Sequence, residues 1–138
     1  MLSNQAKTYW AKSWPMGTPE IESWLPLWQH LEDSALLAYR LWDEWLPDSV
    51  KKVITKGCGS PESSRTLLAF LAGVHDIGKA TPAFAVQVGI LRDEMAREGL
   101  HLPKEIASSE RSQRPHGLAG QAILMRWLRG VAYHADKN

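Results

Sequence analysis

Apolar residues recur every three or four positions along most of the chain, which predicts a series of amphipathic helices. The longest such stretch runs from Trp24 to Leu46 and is closed by Pro47. Its predicted buried stripe consists of Leu27, Leu31, Ser34, Ala35, Ala38, Leu41, Trp42 and Trp45. A second helix, from Arg65 to about Asp76 with Ser63 or Ser64 as its cap, is apolar on nearly all faces, which is typical of a central helix.

Helix-start and helix-stop residues delimit the other predicted segments. These are a short helix from Lys7 to about Ser13, a helix start at Thr18-Pro19-Glu20, a helix from Thr81 to Arg97, and a last helix from about Gly117 to Leu128. Gly, Pro and Ser residues predict a loop in at least part of 48–63, and the polar segment 100–115 predicts another. No stretch alternates in the manner of a strand, and the predicted fold class is therefore all-α.

Composition narrows the class of protein. The 138 residues suit a single domain, and 44% of them are hydrophobic, which is enough for a core. Lys and Arg total 16 against 15 Asp and Glu, a net charge of +1, which excludes a strongly basic nucleic-acid-binding protein. One cysteine, Cys58, excludes a disulfide-stapled secreted fold. No apolar run reaches the roughly 18 residues of a membrane span, and we therefore expect a cytoplasmic protein without membrane contact.

His75-Asp76, at the end of the most apolar helix, is the main chemical signal in the sequence. A carboxylate in apolar surroundings is expected to be paired or to bind a metal. The dipeptide alone favours a simpler interpretation, in which His75 faces the negative end of the helix and Asp76 lies in a turn before Gly78.

Two further histidines lie where neighbouring helices present an inward face. His30 is flanked by Leu27 and Leu31, and His116 precedes the small residues Gly117 and Ala119. Taken singly, His30 is typical of a hydrogen-bonded core histidine and His116 of a helix start. Taken in order, the three segments present a histidine, then a His-Asp pair, then a histidine.

This order of residues resembles the HD-domain metal-dependent phosphohydrolases, and within them the HD nuclease domain of the type I CRISPR-associated nuclease–helicase. The segments that carry the resemblance are YWAKS (9–13), LWQHLEDSA (27–35), HDIGKATPAF (75–84) and RPHG (114–117). They span residues 9 to about 128, nearly the whole chain. The resemblance implies an all-α, HD-domain-like helical bundle.

The resemblance also implies a metal site. His30 and His75 would hold one ion, His116 would help to hold a second, and Asp76 would bridge the two. Imidazole and carboxylate ligands suit Mn, Fe, Co or Ni, with Zn or Mg as further options, and a complete site holds up to two ions. Lys79 would be catalytic through contact of its ammonium with a phosphate oxygen, or else a solvated lysine at a helix end.

The family pattern continues beyond what this chain contains. A tandem His-His-Gly motif, a late Asp and the helicase with its ATP-binding loop are absent, and the tail offers only His134 and Asp136, which we expect to be solvated. We therefore expect residues 1–138 to form the N-terminal part of an HD domain, truncated at the C-terminus. The implied partners are single-stranded DNA, the Cascade complex and a helicase domain on the same or a separate chain.

Three functions remain open at this point. The first is metal-dependent cleavage of single-stranded DNA in CRISPR interference after recruitment by Cascade. The second is hydrolysis of nucleotides or cyclic nucleotides by a generic HD phosphohydrolase. The third is a non-catalytic helical module that binds Cascade or the full nuclease.

Overall fold

The computed structural model of the protein describes residues 1–15, 20–113 and 115–135, and for residues 131–135 it describes the helical backbone alone. In chain order the elements are α1 (Asn4–Thr8), β1 (Trp10–Trp14), β2 (Ser23–Pro26), α2 (Leu27–Arg40), a π-helical turn (Leu41–Trp45), α3 (Asp48–Cys58), α4 (Pro61–Val74), a 3₁₀ turn (Ile77–Lys79), α5 (Pro82–Ala85), α6 (Gly89–Arg97), α7 (Ser108–Ser112) and α8 (His116–Ala135). The fold is mostly helical, which confirms the predicted class.

The chain divides into two compact units. Unit 1 comprises Met1–Trp28 and Asp76–Asn138, and unit 2 comprises Gln29–His75. Some residues named in the sequence analysis lie outside the part of the chain that the structure describes. These are the predicted helix start Thr18-Pro19, the motif residue Arg114, the tail residue Asp136 and the side chain of His134. No described helix is both long enough and apolar enough to cross a bilayer.

Unit 1 contains a small antiparallel sheet that the sequence patterns did not predict. The prediction of a helix from Lys7 to Ser13 is wrong, because the helix ends at Thr8 and Trp10–Trp14 pair with Ser23–Pro26. A β-bulge lies between Trp10 and Lys12, so Ala11 is an extra residue without a ladder partner. Trp10 and Ala11 are both buried, and the bulge thereby removes the alternation that would have revealed the strand.

The core of unit 1 forms where this sheet meets α5 and α6. Its fully buried members are Trp10, Ala85, Val88, Leu91 and Met95. The indole N–H of Trp10 donates to the Ala85 carbonyl over 3.4 Å, and the Trp10 ring packs against Phe84 with centroids 4.4 Å apart. The helix predicted from Thr81 to Arg97 is in fact two helices, since Val88 adopts an extended conformation (φ −122°, ψ 106°) between α5 and α6.

Helix α8 packs directly on the 3₁₀ turn that follows Asp76. A side chain at Gly78 would overlap the carbonyl oxygen of His116 and come within 2.5 Å of the Gly120 nitrogen. Gly120 in turn faces Gly78, with an ideal Cβ 3.2 Å from the Gly78 nitrogen. Two glycines therefore allow main chain to approach main chain at this contact. The helix itself begins one residue earlier and ends later than the predicted 117–128.

Unit 2 consists of α2 from Gln29 onward, the π-helical turn, α3 and α4. The long predicted helix begins at Leu27 and not at Trp24, because Ser23–Pro26 belong to β2. Of the predicted stripe, Leu27, Ala38 and Trp42 are buried, whereas Leu41 is 38% and Trp45 75% exposed. The wider π-helical turn changes the residue spacing after Arg40, and Trp45 leaves the face that Trp42 occupies.

Two other boundaries in unit 2 differ from the prediction. Most of the segment expected to contain a loop is helix α3, and only Gly59 and Ser60 connect it to α4. Gly59 has φ +85°, the left-handed conformation that ends α3. Ser60, three residues ahead of the expected cap, accepts the Ser63 amide hydrogen over 3.0 Å and starts α4.

Helices α2 and α4 approach closely, and an ion pair links the π-helical turn that follows α2 to α4. An ideal Cβ at Gly73 would lie 3.2 Å from the Ala35 Cβ. Arg65 donates to both oxygens of Asp43 over 2.8 and 2.6 Å and lies 4.3 Å from the centre of the Tyr39 ring. The hydrogen bond from Arg65 holds the pKa of Asp43 below its ordinary value.

The Gly78 contact predicts a large effect of one methyl group. Gly78→Ala is expected to lower the free energy of unfolding by at least about 2 kcal/mol, because the methyl meets main-chain atoms that cannot rotate away. Urea denaturation followed by circular dichroism measures the change. Gly130, in α8, has open space around it, and Gly130→Ala is expected to be neutral or to stabilise by up to about 1 kcal/mol. Equal effects of the two substitutions would contradict the contact.

The ion pair in unit 2 predicts a pH dependence. Because the pKa of Asp43 is lower in the folded protein, its contribution to stability is complete above the unfolded pKa of about 3.9 and is lost as the pH falls through the folded pKa. Arg65→Met is expected to move the pKa of Asp43 up towards its ordinary value, as measured by NMR titration of the carboxyl carbon. Arg97→Met, which removes a guanidinium paired with Glu94, serves as the control. An unchanged pKa in Arg65→Met would refute the assignment.

Candidate metal centre

Two of the predicted metal ligands meet inside unit 2. His30 lies on the first turn of α2, and His75 is the residue that caps the end of α4. Their ring centroids are 5.1 Å apart, with the rings inclined at 67°. The close approach of Gly73 to Ala35 brings these two helices together near the histidines. The small side chains on α2 and α4 therefore position the imidazole pair.

A main-chain hydrogen bond orients the His75 ring. Its Nδ1 lies 2.7 Å from the carbonyl oxygen of Ala72, one turn earlier on α4. A carbonyl oxygen only accepts hydrogen bonds, so Nδ1 carries a proton, and in the neutral ring Nε2 then has the lone pair. Protein metal sites commonly hold their histidines in this way, with one ring nitrogen bonded to a carbonyl and the other bound to the ion.

Asp76 follows His75 by one peptide bond and is buried, with 9% of its surface exposed. Its Oδ2 lies 2.7 Å from the ammonium nitrogen of Lys79, and its Oδ1 lies 3.4 Å from Nε2 of His116. His116 is the first residue of α8 and is about half exposed. The contact of α8 with Gly78 sets this arrangement, because it places the start of the helix beside the turn that follows Asp76.

His30, His75 and Asp76 are of the residue types that form metal sites, and each could offer one ligand atom. Two imidazole nitrogens and a carboxylate oxygen suit a divalent transition metal. His116 places an imidazole beside Oδ1 of Asp76. The assignment of these four residues as metal ligands stays a prediction.

The surroundings of Lys79 contradict one of the two expectations for this residue, that of a solvated lysine at a helix end. The side chain is buried, so it is not a solvated lysine, and its ammonium is engaged by the protein itself. It pairs with Asp76 and donates to the Ala11 carbonyl of β1 over 3.1 Å. The sequence carries no signal for the Ala11 contact, since the accepting atom belongs to the main chain. The predicted catalytic role of Lys79 is untested by these contacts.

Other residues with reactive or charged side chains are not part of this ligand group. His101 is exposed in the segment between α6 and α7, and Cys58 ends α3. Lys51, Lys52 and Lys56 line a groove of about 560 Å³ in unit 2, whose other walls include Trp42 and Pro61. None of these is a member of the group of potential ligands found among the described residues.

Comparison with known proteins decides the family. The family model described as "Cas3, HD domain" matches residues 10–137. The chain belongs to the Cas3 HD-domain family. This result confirms the resemblance noted in the sequence, and it places the chain in a family of CRISPR-associated HD nucleases.

A curated relative agrees with this family. The CRISPR-associated nuclease/helicase Cas3 of Streptococcus thermophilus is 33% identical over 132 residues, which covers 86% of this chain. The same match covers 14% of the relative, so this HD-domain chain spans about one seventh of that protein's length. No solved structure gives a significant match.

The orientation of His75 in this HD domain can be measured directly. We expect its neutral ring to be the Nδ1–H tautomer, because the Ala72 carbonyl accepts from that nitrogen. Nitrogen-15 chemical shifts of the labelled histidines, recorded without added metal, distinguish the two tautomers. His101, exposed and outside the ligand cluster, serves as the reference resonance. An Nε2–H tautomer at His75 would contradict the proposed orientation.

Proposed function

We propose that this chain is the nuclease part of a type I CRISPR effector and makes metal-dependent cuts in single-stranded DNA. The observation that carries the proposal is the pairing of the predicted ligands in a member of the Cas3 HD family. The His30 and His75 rings lie 5.1 Å apart in unit 2, and Oδ1 of Asp76 lies 3.4 Å from Nε2 of His116 in unit 1. The name of the relative, a nuclease/helicase, supports DNA as the substrate and a helicase as the partner. We further propose that Cascade recruits the complete effector to its target.

The proposed roles of the residues follow from their donor atoms. His30 and His75 would hold one ion through imidazole nitrogens, and His116 would help to hold a second. Asp76 would serve both ions, because a carboxylate has two oxygens, whereas a neutral imidazole has one free lone pair. We propose Mn, Fe, Co or Ni as the ion, since this mixed set of nitrogen and oxygen donors suits those metals better than Mg.

The protein residues prepare this site before substrate arrives. The Ala72 carbonyl orients His75, and the Gly78 contact holds His116 beside Asp76. Burial of Asp76 keeps its carboxylate out of bulk water, which strengthens its attraction for a cation. Bound divalent ions supply an activated water and neutralise charge on the phosphodiester.

The test is cleavage of circular single-stranded DNA by the purified chain in the presence of Mn²⁺ or Ni²⁺. We expect His75→Ala and Asp76→Ala each to reduce the rate at least about 100-fold and to weaken metal binding more than about tenfold, since even outer-shell partners of a metal are worth about 10- to 100-fold. Calorimetric titration with Mn²⁺ measures the binding.

His101→Ala is the matched control, because it removes a histidine from the same chain outside the ligand cluster. It is expected to leave both cleavage and metal binding unchanged. A panel of cyclic nucleotides and nucleoside triphosphates runs beside the DNA. Hydrolysis of those compounds without DNA cleavage would favour a generic phosphohydrolase. Binding of Cascade without metal or activity would favour a non-catalytic module.

A further inference from the structure

Lys79 is a buried cation, and this is unusual enough to need a physical reason. Only 9% of the residue is exposed, and the side chains of Lys79 and its partner Asp76 are similarly enclosed. Removal of an ammonium group from water costs several kcal/mol unless the protein replaces the lost hydration. The contacts that replace it indicate what the side chain does.

Those contacts come from two different parts of unit 1. Asp76 Oδ2 lies 2.7 Å from the ammonium nitrogen, and the Ala11 carbonyl oxygen lies 3.1 Å from it. The ring of Phe84 lies 5.4 Å away, within the range of a cation–π interaction. The Lys79 ammonium thus lies between strand β1 and the carboxylate of Asp76, the residue that precedes the 3₁₀ turn.

The β-bulge explains why the Ala11 carbonyl faces Lys79. Trp10 pairs with Pro26 and Lys12 pairs with Leu25, so Ala11 is the extra residue of the bulge. A bulged residue is left out of the ladder, and its main-chain groups are turned to other partners. The bulge therefore presents a fixed acceptor at the distance that Lys79 requires.

We propose that Lys79 is a positioning residue, whose ammonium is anchored to the bulged strand and fixes the carboxylate of Asp76. Lys79 holds Oδ2, and this leaves Oδ1 directed towards Nε2 of His116. The inference rests on the proposed role of Asp76 as a metal ligand. It replaces direct contact of Lys79 with a phosphate, because the ammonium is buried and its charge is already compensated.

The test compares four forms of the metal-free chain by nitrogen-15 NMR of the histidine side chains. These are the wild type, Lys79→Met, Asp76→Asn and the double variant. If Lys79 fixes Asp76, Lys79→Met shifts the His116 Nε2 resonance in the same direction as Asp76→Asn, and the double variant resembles Asp76→Asn alone. Lys79→Arg, which keeps the charge and the donors, is expected to restore most of the wild-type shift. An unchanged His116 resonance in Lys79→Met would overturn the proposal.

Metal binding provides a second readout without substrate. Lys79→Met is expected to weaken Mn²⁺ binding about tenfold, the effect of a lost outer-shell partner, and to have no further effect in the Asp76→Asn background. Loss of a positive charge alone would tighten the binding of a cation, so tighter binding contradicts positioning. Unchanged binding together with a raised KM for DNA indicates phosphate contact and also contradicts it.

Two controls keep the outcomes separate. Far-UV circular dichroism establishes that Lys79→Met is folded, and if it is not, Lys79→Gln takes its place because it keeps a hydrogen-bond donor. If the wild type binds no metal, the proposed function fails. The comparison of His116 resonances then still decides whether Lys79 fixes Asp76.

Discussion

Helix α8 begins against the main chain of Gly78, at a separation that leaves no room for a side chain. Asp76 lies two residues before Gly78 and Lys79 one residue after it. One short turn therefore contains the Asp76 carboxylate, the Lys79 ammonium and the main chain against which α8 packs. This contact limits how closely α8 approaches, and its first residue, His116, lies beside Asp76. The contact between Asp76 and His116 thus depends on the absence of a side chain at Gly78.

The polar groups near this turn are individually expensive. A buried carboxylate and a buried ammonium each lose hydration, and their attraction only partly compensates for that loss. Such a pair is weak evidence for stability, and the role we propose for it is to orient the carboxylate of Asp76. The pair of Arg65 and Asp43 in unit 2 differs, because it is exposed to solvent. Its two charged groups keep much of their hydration and need no such compensation.

Patterns of residue type predicted the helices well where burial follows the helical period. The helical class, the end of the long helix near Leu46 and the helix before Asp76 all follow from that period. The sheet was missed because a bulge disrupts its alternation, and α3 was missed because its Gly and Ser neighbours suggested a loop. The division of 81–97 depends on one extended residue, Val88, which residue type does not reveal.

The chemistry of the site was visible to different degrees. The histidines and Asp76 are recognisable by type and order, and the structure brings Asp76 beside His116 and His30 beside His75. The carbonyl groups of Ala72 and Ala11 were invisible, since every residue has a carbonyl and only the fold selects which one is used. Main-chain partners of this kind lie beyond any analysis of residue types.

The bulge at Ala11 has a consequence for how this sequence tolerates change. Its contribution to Lys79 is an oxygen that all amino acids possess, so the nature of residue 11 matters only through the small space available to its side chain. The number of residues in the strand matters far more. Deletion of one residue would restore regular pairing, turn the following side chains to the opposite face and withdraw the oxygen. Among related chains, this contact would therefore constrain the number of residues in the strand and not the amino acid at position 11.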